Sequence, residues 1–114
     1  MRGVNKVILI GNLGNDPEIK ALEGGIKVAK FSLAVSESYK DDTGKLHTNT
    51  EWISVILWRG LADLAEKYMR KGSLVYVEGK LKTRSYEDKS GTKKYVTEVI
   101  GEQITLLDKK EGNE

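Results

Sequence analysis

The 114-residue chain has no cysteine, one proline, one phenylalanine and one histidine. Without cysteine there is no disulfide and no thiolate metal site, a usage compatible with a reducing cytoplasm. The folded state must then rest on an apolar core, and 114 residues suffice to bury one in a single domain. Nucleophilic catalysis needs a nucleophile, a base and a group that orients the base. The lone His47, expected in a loop, supplies no such set, and the carboxylates are scattered among lysines. Neither G-x-x-x-x-G-K nor G-x-G-x-x-G occurs, so no phosphate-cradling loop is present. The residues therefore point away from an enzyme and call for no cofactor or metal. Long apolar runs are also missing. The first, Val7–Ile10, has four residues, too few for a signal peptide or a membrane span. A soluble intracellular protein is expected. Charge of one sign is nearly absent in the balance, with 19 Lys and Arg against 17 Asp and Glu. Only its distribution along the chain can then indicate a partner.

Alternating apolar segments rich in valine, isoleucine, threonine and tyrosine dominate the chain. Alternation places successive side chains on opposite faces of a strand. A first strand is expected over residues 4–13, apolar on both faces and therefore either central or covered by another chain. A short hairpin over 18–28 turns at Glu23-Gly24-Gly25, and a second long strand covers 29–38. The polar stretch Lys40–Lys45 is a loop, and a third strand covers 49–59. Helical spacing occurs once, over 60–71. There Leu61, Leu64, Ala65 and Tyr68 form a stripe expected to pack on the barrel, with Gly72 as the stop. Strands follow at 73–87 and 94–107, and the polar segment 108–114 is expected to be disordered. Five strands with one helix between the third and fourth predict an all-β fold, a five-stranded OB-fold β-barrel spanning residues 1–107.

Within the third strand, "WISVILW" (residues 52–58) holds both tryptophans of the chain. If Ile53, Val55 and Leu57 face the core, Trp52 and Trp58 face away from it, about 20 Å apart along one face. Two readings stay open: the rings stack on a ligand, or they pack under the helix or at a subunit contact. Charge concentrates in one place. Between Lys80 and Lys94, six basic residues stand against Glu87 and Asp88. Lys82, Arg84 and Tyr86 share parity and hence a face. Cations interleaved with a ring suit a single nucleic-acid strand, whose phosphates need charge and whose unpaired bases need a stacking surface. Lysines on an exposed strand also serve solubility and protect an edge. Lys67, Arg70 and Lys71 form a second basic group at the helix end. Phe31 is expected in the core. Tyr39 shares parity with Phe31, Leu33 and Val35, so a regular strand turns it inward unless a bulge shifts it.

Five stretches together carry a resemblance: "RGVNKVILIGNLGNDPE" (2–18), "LAVSESY" (33–39), "TEWISVILW" (50–58), "LADLAEKYMRKGSLVYVEGKLKTRSYED" (61–88) and "TEV" (97–99). The chain resembles the bacterial single-stranded DNA-binding proteins. That resemblance implies a homotetramer of OB-folds wrapping single-stranded DNA without strong sequence preference, during replication, recombination and repair. It also implies a cytoplasmic, nucleoid-associated bacterial protein. It implies base stacking on Tyr39, Trp52, Trp58 and Tyr86, and puts Tyr39 on the binding face against simple parity. It implies phosphate contacts from Arg2, Lys6, Lys20, Lys71, Lys82 and Arg84. Ser54 stands where better-known members have arginine, and Arg59, outside their pattern, is expected to compensate. Ile53 replaces a histidine that some members place near the subunit contact. The family's long linker and acidic tip do not appear before Glu114. Recruitment of replication and repair proteins is therefore expected only if a longer natural chain carries that tip. The residues alone leave open RNA as the ligand, and an OB-fold dimer whose aromatics form an interface.

Overall fold

The computed structural model describes residues 2–108. Six strands and one helix follow in order: β1 (Val7–Leu13), β2 (Glu18–Ala21), β3 (Lys27–Lys40), β4 (Leu46–Trp58), α1 (Gly60–Tyr68), β5 (Leu74–Glu87) and β6 (Lys93–Leu106), with a 3-10 turn at Glu23–Gly25. The strands run in the order β1-β5-β6-β4-β3-β2, and an added β1–β3 pairing closes five of them into a barrel. β2 is the small extra strand of the expected hairpin, paired with the start of β3. The helix lies between β4 and β5, as the OB-fold requires.

Closure depends on close backbone approach. A Cβ on Gly11 would lie 2.3 Å from the Ala34 carbonyl oxygen, so a side chain there would push β1 from β3. Inside the barrel, Phe31 and Leu33 of β3, Val55 and Leu57 of β4, and Val75 and Val77 of β5 are all buried. Alternation along each strand explains this set, since one face meets the core and the other does not. Both long hairpins then run past the core, and residues 36–40 of β3 and 80–87 of β5 are exposed whatever their parity.

Several expectations change. β1 begins at Val7 rather than residue 4. Of the two readings of its apolar faces, cover within the chain itself is excluded, since Ile8 and Ile10 are 57% and 53% exposed. His47 lies in β4, not in a loop, because the β3–β4 ladder continues to Lys40↔Leu46. The helix stops at Tyr68, three residues early, because Met69 turns extended to bury its side chain fully. The Arg70 guanidinium then donates to the freed carbonyl oxygens of Glu66 and Met69, at 2.9 and 2.7 Å. The buried stripe is accordingly Ala62, Ala65 and Met69, with Leu61 and Leu64 at its margin. Tyr68 does not pack on the barrel; it is 64% exposed. Gly72 (φ +92) ends a later turn, where its N–H donates to the Leu13 carbonyl. Of the polar C-terminal segment, Asp108 accepts a hydrogen bond from the Leu74 N–H at 3.1 Å. Residues 109–114 lie outside the described part.

Candidate nucleic-acid interface

The β3–β4 register pairs Val28 with Trp58, Lys30 with Ile56, Ser32 with Ser54 and Ala34 with Trp52. These eight side chains share the outer face, opposite Phe31, Leu33, Val55 and Leu57. β2 adds Glu18 and Lys20 beside Lys30 and Val28. On the other flank, the parallel pairing of β4 with β6 sets Ile56 against Ile100, and β6 in turn sets Lys80 and Lys82 of β5 beside Ile100 and Glu98. The strands thus lay a row of alternating rings, apolar patches and cations across the barrel.

Three hollows follow this row. The first, about 480 Å³, has Trp58, Val28, Ile56 and Ile100 as its apolar floor and Lys80, Lys82 and Arg84 on its wall. The second, about 200 Å³, shares Val28, Ile56 and Arg84 with the first and adds Lys20 and Lys30. The third, about 330 Å³, runs from Lys30 along Ser32 and Ser54 to Asn15. Shared lining residues make the three one track. Its far end is Trp52, whose ring lies over Gly14; a Cβ on Gly14 would fall 2.5 Å from Trp52 Cζ3. Asn15 holds the loop beneath by accepting from the Ser32 N–H at 2.9 Å. Trp52 and Trp58 remain 64% and 41% exposed, so both rings offer area to a ligand.

In the middle of the track sits a carboxylate. Glu98 is 3% exposed, and a buried charge needs partners. Arg84 supplies a two-pronged contact, Nε to Oε1 at 2.9 Å and Nη2 to Oε2 at 3.2 Å. Lys30 Nζ stands 3.6 Å from Oε2. That hydrogen bond to Glu98 holds the Arg84 guanidinium above its ordinary pKa. Arg84 is thus fixed in direction, and part of its charge is already balanced.

Residues 4–107 match the model of the Single-strand binding protein family. The chain belongs to that family. It is 48% identical over 111 residues to Single-stranded DNA-binding protein 1 of Chlorobaculum tepidum, covering 96% of this chain and 68% of the relative. Among solved structures it is similar to the Plasmodium falciparum SSB complex with ssDNA, with a TM-score of 0.87 and 39% identity over 95% of this chain and 98% of that one.

Set against that family, the expected site residues fall into groups. Trp58, Lys82, Arg84 and Lys20 meet on the track, with Trp52 at its end. Tyr86 continues the Lys82–Arg84 face outward along the β5–β6 ribbon, whose register is unbroken from Gly79 to Glu87. Lys71 belongs to the loop after α1, which its N–H ties to Asp16 Oδ1 at 2.8 Å, near the Trp52 end. Arg59 follows Trp58 directly but lines a separate hollow with Gly24, Gly25 and Asp63. Its φ of +57 is a conformation L-residues rarely adopt. Lys6 lies elsewhere, paired with Glu78 on the β1–β5 face, where Tyr76 also donates to Glu78 at 2.8 Å. Those two partners hold the Glu78 carboxyl below its ordinary pKa. Arg2 is exposed in the segment before β1. Tyr39 is 53% exposed, but no bulge brings it out: the β3–β4 register is unbroken from Val28 to Lys40. It is exposed because the hairpin overhangs the core, and it keeps the parity of Phe31, opposite to Trp52.

Two residues on the track escaped the sequence. Lys30 carried a usable signal, since its parity is opposite to Ala29 and Phe31 and equal to Val28. Glu98 carried none; nothing marks one of 17 acidic residues as the buried one.

Proposed function

We propose that this protein binds single-stranded DNA without strong sequence preference and protects it during replication, recombination and repair. Bases stack on Trp52, Trp58 and Tyr86 and, on the opposite side of the β3–β4 ribbon, on Tyr39, and phosphates meet Lys20, Lys30, Lys82 and Arg84, with Lys71 and Arg59 at the two ends. Arg2 and Lys6 lie off the barrel track and would contact strand that wraps beyond it. The observation that carries this reading is the continuous row from Trp52 to Trp58 on one sheet face, with Lys30 between the two rings and Lys20, Lys80, Lys82 and Arg84 on the flanking strands. A single strand presents flat bases and a charged backbone at that spacing; a duplex hides its bases. The role is one of binding, not catalysis, and needs no cofactor.

The working unit we propose is a homotetramer of the domain formed by residues 1–107. The exposed Ile8 and Ile10 side chains of β1 favour burial against another copy. The setting is the bacterial cytoplasm, at the nucleoid; no helix among the described residues is long and apolar enough to cross a membrane. Docking of replication and repair proteins would follow only if a longer natural chain carries an acidic tip.

The test is competition. Labelled oligo-dT bound to the protein should be displaced by unlabelled single strand and not by duplex of the same length. Displacement by duplex at equal concentration would overturn the reading, and a matched RNA oligomer in the same assay separates DNA from RNA preference.

A further inference from the structure

The β3–β4 hairpin carries a device that the barrel track does not use. Tyr39 and His47 are directly paired across the ladder, and their rings stack with centroids 5.1 Å apart and planes 18° from parallel. The His47 imidazole is fixed in turn, for its Nε2 lies 2.8 Å from Asp41 Oδ2. Asp41 is the anchor of the turn: its Oδ1 accepts from the Thr43 N–H at 2.9 Å, the Thr43 hydroxyl at 2.7 Å and the Lys45 N–H at 3.0 Å. These bonds, the Thr43 hydroxyl first, lower the Asp41 carboxyl to about 2, so it faces the imidazole as a carboxylate at neutral pH. The chain of support runs from turn to carboxylate to imidazole to phenol ring.

An exposed tyrosine on a two-stranded ribbon would ordinarily sample several rotamers and lose that freedom on stacking. Here one face of Tyr39 is already covered by a ring that cannot turn. The other face is open.

We propose that His47 is a positioning residue for a single-stranded nucleic acid: it backs Tyr39 so that an unpaired base completes a three-layer stack of imidazole, phenol and base. The ionisable groups sharing this face of the ribbon are Glu37, Asp41, Lys45 and Glu51. Of these, Asp41 alone bonds the imidazole. The proposal rests on Tyr39 being a stacking residue, as proposed above.

Five proteins test it: wild type, Tyr39→Ala, His47→Gln, His47→Phe and the Tyr39→Ala/His47→Gln double variant, each titrated with oligo-dT at one pH and fixed salt. Glutamine keeps a polar contact to Asp41 and loses the ring; phenylalanine keeps the ring and loses the contact to Asp41. Tyr39→Ala should weaken binding about five- to a hundredfold. His47→Gln should weaken it about two- to tenfold, the worth of one aromatic pair. That loss should vanish when His47→Gln is made in the Tyr39→Ala background. His47→Phe, which keeps the ring, should retain wild-type affinity. If Tyr39→Ala binds like wild type, the Tyr39 part of the DNA site falls and the His47 role with it. If Tyr39→Ala binds weakly while His47→Gln matches wild type, only the His47 role falls. A His47→Gln loss that persists in the Tyr39→Ala background also overturns it, because the residue would then act without the ring it is said to support.

Discussion

The two tryptophans and the two tyrosines are held differently. Trp52 and Trp58 stand on the barrel wall, with a packed core behind them. Tyr39 and Tyr86 stand on ribbons that project past that core. On the wall, one face of each strand is claimed by the interior, so the sequence alternation alone decides which side chains face outward. On the ribbons both faces meet water, so alternation says which residues are neighbours but not which ones bind. The wall therefore supplies a rigid platform, and the ribbons need local supports such as the His47 and Asp41 contacts behind Tyr39.

The sharpest way to break the comparison is on adjacent residues. Leu57 is fully buried and Trp58 is its neighbour on the outer face. Leu57→Ala should lower unfolding stability by about 2–5 kcal/mol, the range for a large-to-small core change. Trp58→Ala should leave the urea midpoint nearly unchanged and weaken oligo-dT binding by about 1–3 kcal/mol. Equal stability losses in the two would mean that Trp58 is a packing residue. Next in size is Trp52→Ala. Its ring is more exposed and has fewer neighbours to hold it, so its binding loss should lie toward the lower end of the same range. Smaller again is Gly14→Ala. The new methyl would strike the Trp52 ring, which has room to swing outward. Stability should change little, while affinity drops by no more than in Trp52→Ala. An unaltered affinity would show that the seat of Trp52 over Gly14 is unimportant.

How far the sequence could be read follows from the same division. The OB-fold order, the helix position and the outward placement of both tryptophans were legible, because each rests on a period imposed by the core. Tyr39 was not. Parity pointed it inward, and its exposure comes from the length of a hairpin, which no local pattern encodes. Tyr68 failed for a related reason: its helical spacing was right, but the helix ends there, and Met69, turning extended, is the residue that is buried. Among the cations, Lys82 and Arg84 were found from parity, and Lys20 from the resemblance. What could not be found was the carboxylate between them. Glu98 takes meaning only from Arg84 and Lys30, which come from different parts of the chain.

The smallest expected effect concerns acid. Asp41 has its carboxyl lowered from 3.8 to about 2, chiefly by the Thr43 hydroxyl and His47. A depressed carboxyl contributes stability that is complete above its unfolded value and disappears as pH falls through the folded one. Protection of the turn amides at Thr43 and Lys45, taken relative to the intrinsic exchange rate at each pH, should therefore fall between about pH 4 and pH 2, while the amides of Val55 and Leu57 stay protected. Simultaneous loss at both places would show that the hairpin tip and barrel are one cooperative unit.

The central claim is that one strand of DNA lies along the barrel wall from Trp58 to Trp52. It is tested most directly by making Trp52→Phe and Trp58→Phe, each of which leaves a single tryptophan, and titrating both with oligo-dT while following fluorescence. A strand on this track should quench the remaining tryptophan in each variant, at the same protein-to-DNA ratio. Quenching of one tryptophan with no change at the other would contradict the track, and no change at either would place the DNA elsewhere on the protein.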